Sequence, residues 1–324
     1  MNFDKHVLDI DAEMESERII GQIRQTILKD YKRRGVVIGV SGGIDSSTVL
    51  ALAVEALGPE RVVALTMPEK DSSGESEQLA RELTAQYGVE LIKEDLTGIL
   101  SAAHCYERRD TAVKRVYPQY DPAKHGIKIT LPGNLLDGNS LNVFSLVLID
   151  ENGEEQSKLI PPSVYLEVVA ASNYKQRTRM MTLYYHAESR NYAVLGTANK
   201  DEHKQGFFVK YGDGGVDMQP IQHLFKVQVY QLAAELGVPQ SIIKRMPTTD
   251  TYSTSSSQEE FFFRLPFELM DVIWYGLEHE VPAEAVAQGL DLTSTQVENV
   301  YRELRQKIKT TEYLRARPYM LPTV

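Results

Sequence analysis

A short apolar run that leads straight into a glycine- and serine-rich turn constrains the fold of this chain most. Residues 35–40 read GVVIGV, a wholly apolar, β-branched run typical of a parallel strand covered on both faces. Residues 46–57 then read SSTVLALAVEAL, which predicts a helix that ends at Gly58 and Pro59. The sequence therefore predicts a strand, a tight turn and a helix in direct succession.

The same order of strand and helix repeats along the chain. The other predicted elements are a helix at residues 18–30, a strand at 61–66, a helix at 75–87, a strand at 89–96, a helix at about 164–189 and a strand at 192–197. Repeated strand and helix units imply right-handed crossovers and a parallel sheet with helices on both sides. We predict an α/β fold with a doubly wound, Rossmann-like parallel sheet, a class in which the strand order 3-2-1-4 is common.

An inserted element interrupts this pattern at residues 127–162. Asn152-Gly153 lies between two β-rich runs there, which predicts a β-hairpin that serves either as a flap or as an oligomer contact. The polar run at 248–257 is predicted to be a loop.

The end of the chain, residues 259–324, is predicted to be a helical C-terminal region. Thr293 and Gln296 form a capping-box pattern there, ahead of an apolar stripe. The chain shows neither repeats nor low-complexity linkers, so its 324 residues are expected to form one domain.

Composition limits the class of protein. The formal net charge of −10 argues against a broad basic surface for nucleic acid. No apolar run approaches the roughly 20 residues of a membrane span, and the acidic start does not fit a signal peptide. The single cysteine, Cys105, excludes a disulfide framework and is expected to be a small buried residue. We expect a cytoplasmic protein that binds neither nucleic acid nor a membrane.

The turn itself, SGGIDSS at residues 41–47, predicts a cradle for a pyrophosphate. Gly42 and Gly43 let the backbone approach an anion closely, and the following helix directs N–H groups at the same point. The turn lacks the lysine of a GxxxxGK[ST] loop and carries a carboxylate, Asp45, that phosphates would repel. We therefore expect a divalent cation between them, with Mg²⁺ the natural candidate. The hydroxyls expected to join this site are those of Ser41, Ser46 and Ser47.

A second segment is expected at the same edge of the sheet. If the strand at 192–197 lies beside the first strand, the carboxyl ends of both flank the crevice where such sheets bind ligands. GTANKDE, residues 196–202, ends the later strand. Glu202 is then placed to join Asp45 as a metal ligand, and Thr197 to reach the nucleotide.

These segments resemble a known family. The turn is similar to the SGGxDS loop of the PP-loop, or N-type ATP pyrophosphatase, superfamily, whose members cleave ATP between its α and β phosphates. Residues 172–250 resemble ammonia-dependent NAD synthetase through SNYKQRTRM, LGTANKDE, GFFVKYGDGGVDMQPI and MPTTD. The resemblance covers most of residues 18–250 and implies an adenine nucleotide alpha hydrolase-like fold. After Asp250 the chain departs from the family, and Tyr313 and Leu314 stand where the family has a His-Lys pair.

The resemblance implies roles for single residues. Besides the turn at 41–47, the residues expected to contact ATP are Arg177, Thr197, Lys226 and Thr248. Glu202 matches the metal-binding glutamate of the family. The residues expected to hold deamido-NAD are Phe207, Lys210, Asp213 and Asp217. The expected catalytic residues are Asp45, Lys226 and Asp213, the last as the group that takes a proton from ammonium.

The implied reaction is the amidation of deamido-NAD to NAD. The nicotinate carboxylate attacks ATP to give a nicotinate adenylate and pyrophosphate, and ammonia then displaces AMP. Only residues 1–34 precede the first predicted strand, so we expect free ammonia or a separate glutaminase subunit as the nitrogen source. The family also implies a homodimer. Two alternatives stay open: a PP-loop ligase that amidates a different carboxylate, and a nucleotide-binding α/β protein without catalysis.

Overall fold

A parallel sheet forms the centre of the computed structural model, which describes residues 3–131, 133–137, 144–246, 248–249, 256–257 and 262–321. Its strands are β1 (Val36–Gly39), β2 (Val62–Thr66), β3 (Glu90–Lys93) and β7 (Ala193–Leu195). They lie in the order β3-β2-β1-β7, with Val37 of β1 opposite Val63 and Val194. The predicted α/β fold is confirmed, with the strand order 3-2-1-4.

Helices connect the strands and cover both faces of the sheet. The α-helices are α1 (Ala12–Arg24), α2 (Ile44–Leu57), α3 (Gly74–Tyr87), α4 (Thr97–Ala102), α5 (Cys105–Lys114), α6 (Pro162–Arg190), α7 (Lys200–Gln205), α8 (Lys226–Glu235), α9 (Gln240–Ile243), α10 (Phe267–Glu278), α11 (Ala283–Gly289), α12 (Ser294–Thr310) and α13 (Glu312–Arg315). Gln25–Asp30 continues α1 as a π-helix. Short 3-10 helices lie at Lys5–Leu8, Pro59–Arg61 and Leu135–Asp137.

Successive side chains of β1 point to opposite faces of the sheet, so the core has two layers. Val36 and Ile38 pack with residues of α1, α2 and α8 on one face of the sheet. Val37, between them, packs instead with Leu183 and Ala187 of α6 on the other face. Because helices cover both faces, neighbouring positions of β1 are apolar on both sides of the sheet, as the sequence indicated.

One helix begins earlier than predicted, and five others, α4, α5, α7, α8 and α9, were not predicted. α1 begins at Ala12 rather than at residue 18, because the side chain of Asp11 caps it and accepts a hydrogen bond from the N–H of Met14 at 3.0 Å. α4 and α5 follow β3. Cys105 begins α5 and is buried as expected, with its thiol donating to the carbonyl of Ala171 at 3.2 Å.

The inserted element is a three-stranded antiparallel sheet rather than a hairpin alone. Its strands pair in chain order as β4 (Gly126–Thr130), β5 (Ser145–Ile149) and β6 (Glu155–Leu159). The Asn152-Gly153 turn joins β5 to β6 as predicted, and Gly153 has a φ of +82° that favours glycine. One face of this sheet packs on α5 and α6, which attaches the insertion to the main domain.

The C-terminal region is helical, as predicted. The apolar stripe of α12, Val297, Val300, Tyr301 and Leu304, is buried against α10 and α11. Thr293 and Gln296 form the capping box, in which Thr293 Oγ1 accepts from the Gln296 N–H at 3.3 Å and Gln296 Oε1 accepts from the Thr293 N–H at 2.9 Å. No helix in the part of the chain that the structure describes is long and apolar enough to cross a membrane.

The polar run predicted as a loop is partly extended. β8 (Thr248–Thr249) pairs in antiparallel fashion with β9 (Ser256–Ser257). The residues between these strands, 250–255, lie outside the described residues. The loop prediction is therefore wrong for the four residues that pair.

Buried charges tie the loop after β2 to α5 and α6. Lys175 of α6 donates to Glu69 Oε1 at 3.0 Å and to Asp71 Oδ2 at 2.6 Å, while Arg109 of α5 pairs with Asp71. Tyr106 OH donates to Glu69 Oε2 at 2.7 Å. Burial opposes the charge of Asp71, but the cations of Lys175 and Arg109 outweigh it and lower the pKa of Asp71. This network fixes the loop that leaves the carboxyl end of β2.

Replacing Lys175 by methionine should destabilise the fold by about 3–5 kcal/mol, because the buried carboxylates of Glu69 and Asp71 lose a shared cation. Urea unfolding followed by circular dichroism measures this change. Lys114→Met, at an exposed position of α5, is the matched control and should cost less than about 0.5 kcal/mol. Equal effects of the two substitutions would contradict the structural role of the network.

Candidate active site

The turn between β1 and α2 has a backbone that favours glycine. Gly42 adopts a φ of +72°, in the left-handed region. A Cβ at this position would lie 2.8 Å from the Cβ of Leu79 and 3.0 Å from the carbonyl oxygen of Ser76, both on α3. Gly43 follows in an extended conformation as the N-cap of α2. The close approach to α3 therefore fixes where the turn lies.

Serine hydroxyls hold this turn against the start of α2. Ser46 and Ser47 donate to the carbonyl of Gly43 at 3.0 and 2.8 Å, and Ser41 Oγ accepts from the N–H of Gly43 at 3.3 Å. The first N–H groups of an α-helix have no partner within the helix, and the helix dipole adds positive potential there. The turn is thus a preorganised cradle for an anion, and the structure brings the predicted residues 41–47 together.

Two side chains hold the carboxylate of Asp45 in the first turn of α2. Lys226, the first residue of α8, pairs through Nζ with Asp45 Oδ2, and Asn199 Nδ2 donates to Asp45 Oδ1 at 2.9 Å. Lys226 and Asn199 are fully buried. Burial opposes the charge of Lys226, but the carboxylates of Asp45 and Glu202 outweigh it and raise the pKa of the lysine, so it stays charged.

Asn199 also begins α7, which carries the second predicted metal ligand. Asn199 Oδ1 accepts from the Glu202 N–H at 3.0 Å, and Glu202 Oε2 accepts from the Asn199 N–H at 3.3 Å, so the two residues cap the helix reciprocally. Burial, and then the nearby charge of Asp45, raise the pKa of Glu202 to about 8. The two carboxylates therefore interact across the turn, in the arrangement expected from the strand order.

The pair of carboxylates fits a Mg²⁺ ion that completes its ligands with phosphate oxygens and water. Mg²⁺ in nucleotide sites is commonly held by one or two protein carboxylates together with the substrate phosphates. Within the described ranges, no group of three or more His, Cys, Asp or Glu side chains is arranged to hold a metal. Because Asp45 and Glu202 repel each other, a cation between them would relieve that repulsion. The residues present are suited to a metal that arrives with a nucleotide.

Two further carboxyl groups fix the start of α8, and with it Lys226. Asp201 Oδ2 accepts from the N–H of Lys226 at 2.7 Å, and Asp271 Oδ2 accepts from the N–H of Val227 at 3.0 Å. Both aspartates are fully buried, and burial raises the pKa of each, that of Asp201 to about 6. They anchor the helix whose first side chain reaches Asp45.

The loop after α7 places Phe207 in apolar surroundings. Its ring packs on Phe262 and Phe263, with ring centroids 4.9 and 5.5 Å apart. Phe207 is therefore part of the aromatic cluster at the C-terminal helices. Its role as a ring face for the nicotinate group stays a prediction.

Asp213 closes the same loop. Its Oδ1 accepts from the N–H of Val209 at 2.8 Å. Protein atoms crowd the carboxylate and raise its pKa to about 6, although the residue keeps a solvent-exposed side. The charge of Asp213 also contributes to the raised pKa of Glu202.

Lys210 and Asp217, the other residues predicted for the dinucleotide, make contacts within the protein. Lys210 is half-buried and bonds to the C-terminal segment. Asp217 lies beside the middle of β7, where it accepts from the N–H of Val194 at 2.8 Å and from Tyr184 OH at 3.1 Å. These bonds hold Asp217 along the edge of the sheet rather than against the cradle.

Besides Lys226, described above, three residues predicted for ATP outside the turn lie at separate places in the fold. Thr197 is half-buried and follows β7 at its carboxyl end. Arg177 is an exposed residue of α6, and its Nε donates to the carbonyl of Lys210 at 3.3 Å. The backbone of Thr248 lies in β8, and its side chain lies outside the described residues.

Four residues that support the site were not predicted: Asn199, Asp201, Asp271 and Arg245. Asn199 carried a usable signal, since an asparagine three residues ahead of a glutamate is a capping-box pattern. Asp271 had no local signal, because it reaches α8 from α10. Arg245 also had none, and its guanidinium lies 3.5 Å from the carbonyl oxygen of Gly42 and 3.3 Å from Ser76 Oγ, next to the cradle.

Known proteins match nearly the whole chain. The NAD synthase family model matches residues 15–116 and 143–318. An NH(3)-dependent NAD(+) synthetase of Mesorhizobium japonicum is 46% identical over 314 residues, which cover 97% of this chain and 98% of that protein. One of Thermotoga maritima is 37% identical over 262 residues, or 81% of this chain and 86% of that protein. A solved NH3-dependent NAD synthetase of Campylobacter jejuni has the same fold, with a TM-score of 0.63 at 22% identity over 97% of this chain and 100% of that chain.

Replacing Gly42 by alanine should lower ATP affinity at least tenfold, an order-of-magnitude expectation, because the left-handed φ is strained for alanine and its Cβ meets α3. Calorimetric titration with ATP measures the change. Gly21→Ala, at an exposed position of α1, is the matched control, since a Cβ there would meet nothing within 4 Å. Equal losses in both variants would show that the shape of the turn does not set the affinity.

Proposed function

The chain belongs to the NAD synthase family, and on that premise we propose that it converts deamido-NAD to NAD with ammonia and ATP, releasing AMP and pyrophosphate. One observation supports this proposal most: Lys226 pairs with Asp45 beside the anion cradle, and the charge of Asp45 acts on Glu202. Such a site stabilises a triphosphate whose α phosphorus is attacked. The chain is thus a carbon–nitrogen ligase.

In the first step, the nicotinate carboxylate of deamido-NAD attacks the α phosphorus of ATP. A new O–P bond forms, the bond to the bridging oxygen breaks, and pyrophosphate leaves with the electron pair. The cradle at residues 41–47 and the ammonium of Lys226 offset the charge that builds on this leaving group. Mg²⁺, held by Asp45 and Glu202, would supply further electrostatic stabilisation of the phosphate oxygens. Thr197 and Arg177 are proposed to hold the rest of the nucleotide, with Thr248.

In the second step, ammonia attacks the acyl carbon of the nicotinate adenylate and AMP leaves. The nitrogen must lose a proton, since ammonium carries no lone pair. We assign that proton to Asp213, because its carboxylate lies in the loop that also carries Phe207 and Lys210, the residues proposed to hold the dinucleotide. Lys210, Phe207 and Asp217 are proposed to hold the dinucleotide.

Ammonia is proposed as the direct nitrogen donor. The relatives that match nearly the whole chain are named NH(3)-dependent. A separate glutaminase that supplies ammonia in the cell is compatible with this chemistry. Comparing AMP release with ammonium chloride and with glutamine separates the two sources, and ammonium alone should support turnover.

Changing Asp45 to asparagine or Glu202 to glutamine should lower pyrophosphate release at least a hundredfold, an order-of-magnitude expectation for removing charge at a phosphoryl-transfer site. The assay follows pyrophosphate at several Mg²⁺ concentrations with deamido-NAD as acceptor. Glu55→Gln, at the exposed far end of α2, is the control and should leave the rate unchanged. Near-normal release by the Asp45 variant would refute the metal assignment. Faster AMP release with another small carboxylate would favour a different substrate.

A homodimer is proposed from the exposed side of α6. Apolar side chains there share one side of the helix and keep large exposed fractions: Leu166 65%, Tyr174 37%, Met181 51% and Tyr185 67%. An apolar stripe that the chain itself leaves uncovered is typical of a protein contact. A second copy of the chain is the proposed partner.

Light scattering after size exclusion should give about twice the chain mass of 36.5 kDa. Met181→Glu should shift the protein toward the monomer, because it places a charge within the apolar stripe. Met14→Glu makes the same change at an exposed position of α1 and should leave the mass unaltered. A monomeric parent chain at micromolar concentration would contradict the dimer.

A further inference from the structure

The C-terminal segment Thr311–Ala316, here called the latch, lies on the loop that carries Lys210. Lys210 Nζ donates to the carbonyl oxygens of Tyr313 and Ala316, at 3.0 and 2.8 Å. The ring of Tyr313 lies 4.3 Å from the same ammonium group. Both carbonyls are near the end of α13, where the Tyr313 carbonyl also accepts from the N–H of Ala316 at 3.3 Å. Lys210 therefore binds the end of α13, and the latch in turn holds Lys210.

Arg315 docks the latch on the end of α7. Its NH1 donates to the carbonyls of His203 and Lys204, at 3.2 and 2.8 Å, and to Thr311 Oγ1 at 3.0 Å. Its NH2 donates to the carbonyl of Ile308 in α12. One guanidinium thus joins α7, α12 and the latch through four contacts.

A glycine at the end of α7 allows this docking. Gly206 has a φ of +80°, and a Cβ there would lie 2.4 Å from the Cβ of Thr311. Thr311 therefore packs directly on the backbone of the loop. The latch therefore contacts the main body of the chain at both of its ends: Thr311 packs on Gly206, and Arg315 hydrogen-bonds to α7.

These contacts orient Lys210 without cancelling its charge. Carbonyl oxygens are neutral acceptors, and a lysine ammonium has three donors. Two donors are used by the latch, so the positive charge and a third donor remain for an anion. A side chain held in this way loses less freedom on binding a ligand than a free lysine does.

We propose that Arg315 is a positioning residue for the dinucleotide, acting through the latch on Lys210. Arg315 fixes the latch to α7, and the latch carbonyls set the direction in which the Lys210 ammonium meets the pyrophosphate of deamido-NAD. The inference rests on the proposed function. Glu202 lies on the same short helix as the carbonyls that accept from Arg315, so the latch also keeps Lys210 in register with the phosphate cradle.

Steady-state kinetics of the full chain with deamido-NAD, ATP, Mg²⁺ and ammonium tests this role. Arg315→Gln should raise the KM for deamido-NAD about tenfold, while kcat and the KM for ATP stay within about twofold. Arg315→Lys keeps the charge but not the planar fork, so it should raise that KM by a smaller factor. Arg317→Gln, at the exposed neighbouring arginine, is the control and should change neither KM.

A double variant tests more sharply than the single variants whether Arg315 acts through Lys210. If Arg315 acts through Lys210, the double variant Arg315→Gln, Lys210→Gln should have the same KM for deamido-NAD as Lys210→Gln alone. Additive effects would overturn the proposal. An equal rise in both KM values for Arg315→Gln would also overturn it, because a general loss of structure would affect ATP as well.

Hydrogen exchange without ligands separates failure of the latch from failure of the proposed function. Arg315→Gln should accelerate amide exchange in residues 206–215, and Arg317→Gln should not. Unchanged exchange in the Arg315 variant would overturn the latch even if the chain turns over deamido-NAD. Absence of deamido-NAD turnover by the unaltered chain, with the predicted exchange pattern, would support the latch and refute the substrate.

Discussion

The buried pair of Lys226 and Asp45 is the interaction on which the rest of the site depends. It joins the first turns of α2 and α8, which are 181 residues apart in the chain. Asn199 binds the other oxygen of Asp45 and begins α7, so the starts of three helices meet at one carboxylate. With both carboxylates ionised, the pair of acids and one lysine carry a net charge of about −1. A divalent cation would reverse that sign and suit the site to phosphate.

The fold provides this convergence with ordinary α/β elements. Parallel strands end at one edge of the sheet, so the turns after β1 and β7 are neighbours because β1 and β7 pair. The charge network around Lys175 fixes the adjoining loop after β2. The C-terminal helices contribute Asp271 to the anchoring of α8 and carry the latch that holds Lys210. The sheet therefore brings the residues of the candidate site together, and the helices around it orient their side chains.

Features of the fold and the site that depend on local sequence pattern and on the order of the strands could be predicted from the sequence. The turn at 41–47, the strand order and the nearness of Asp45 to Glu202 follow from periodicity and from the geometry of parallel sheets. The partners of these residues did not follow, because Asp271 and Arg245 come from distant elements and nothing in their local sequence marks them. Phe207 shows another limit: its motif predicts a ligand contact, which stays a prediction, and nothing in the local sequence indicates that its ring packs on Phe262 and Phe263.

A crystal structure of the chain with Mg²⁺ and an ATP analogue that resists cleavage between the α and β phosphates tests the central claim most directly. We expect the β and γ phosphates against residues 41–47, with one metal ion bound by Asp45 and Glu202 and by phosphate oxygens. Lys226 should keep its contact with Asp45 in that complex. A triphosphate bound elsewhere, or a metal held without either carboxylate, would contradict the account.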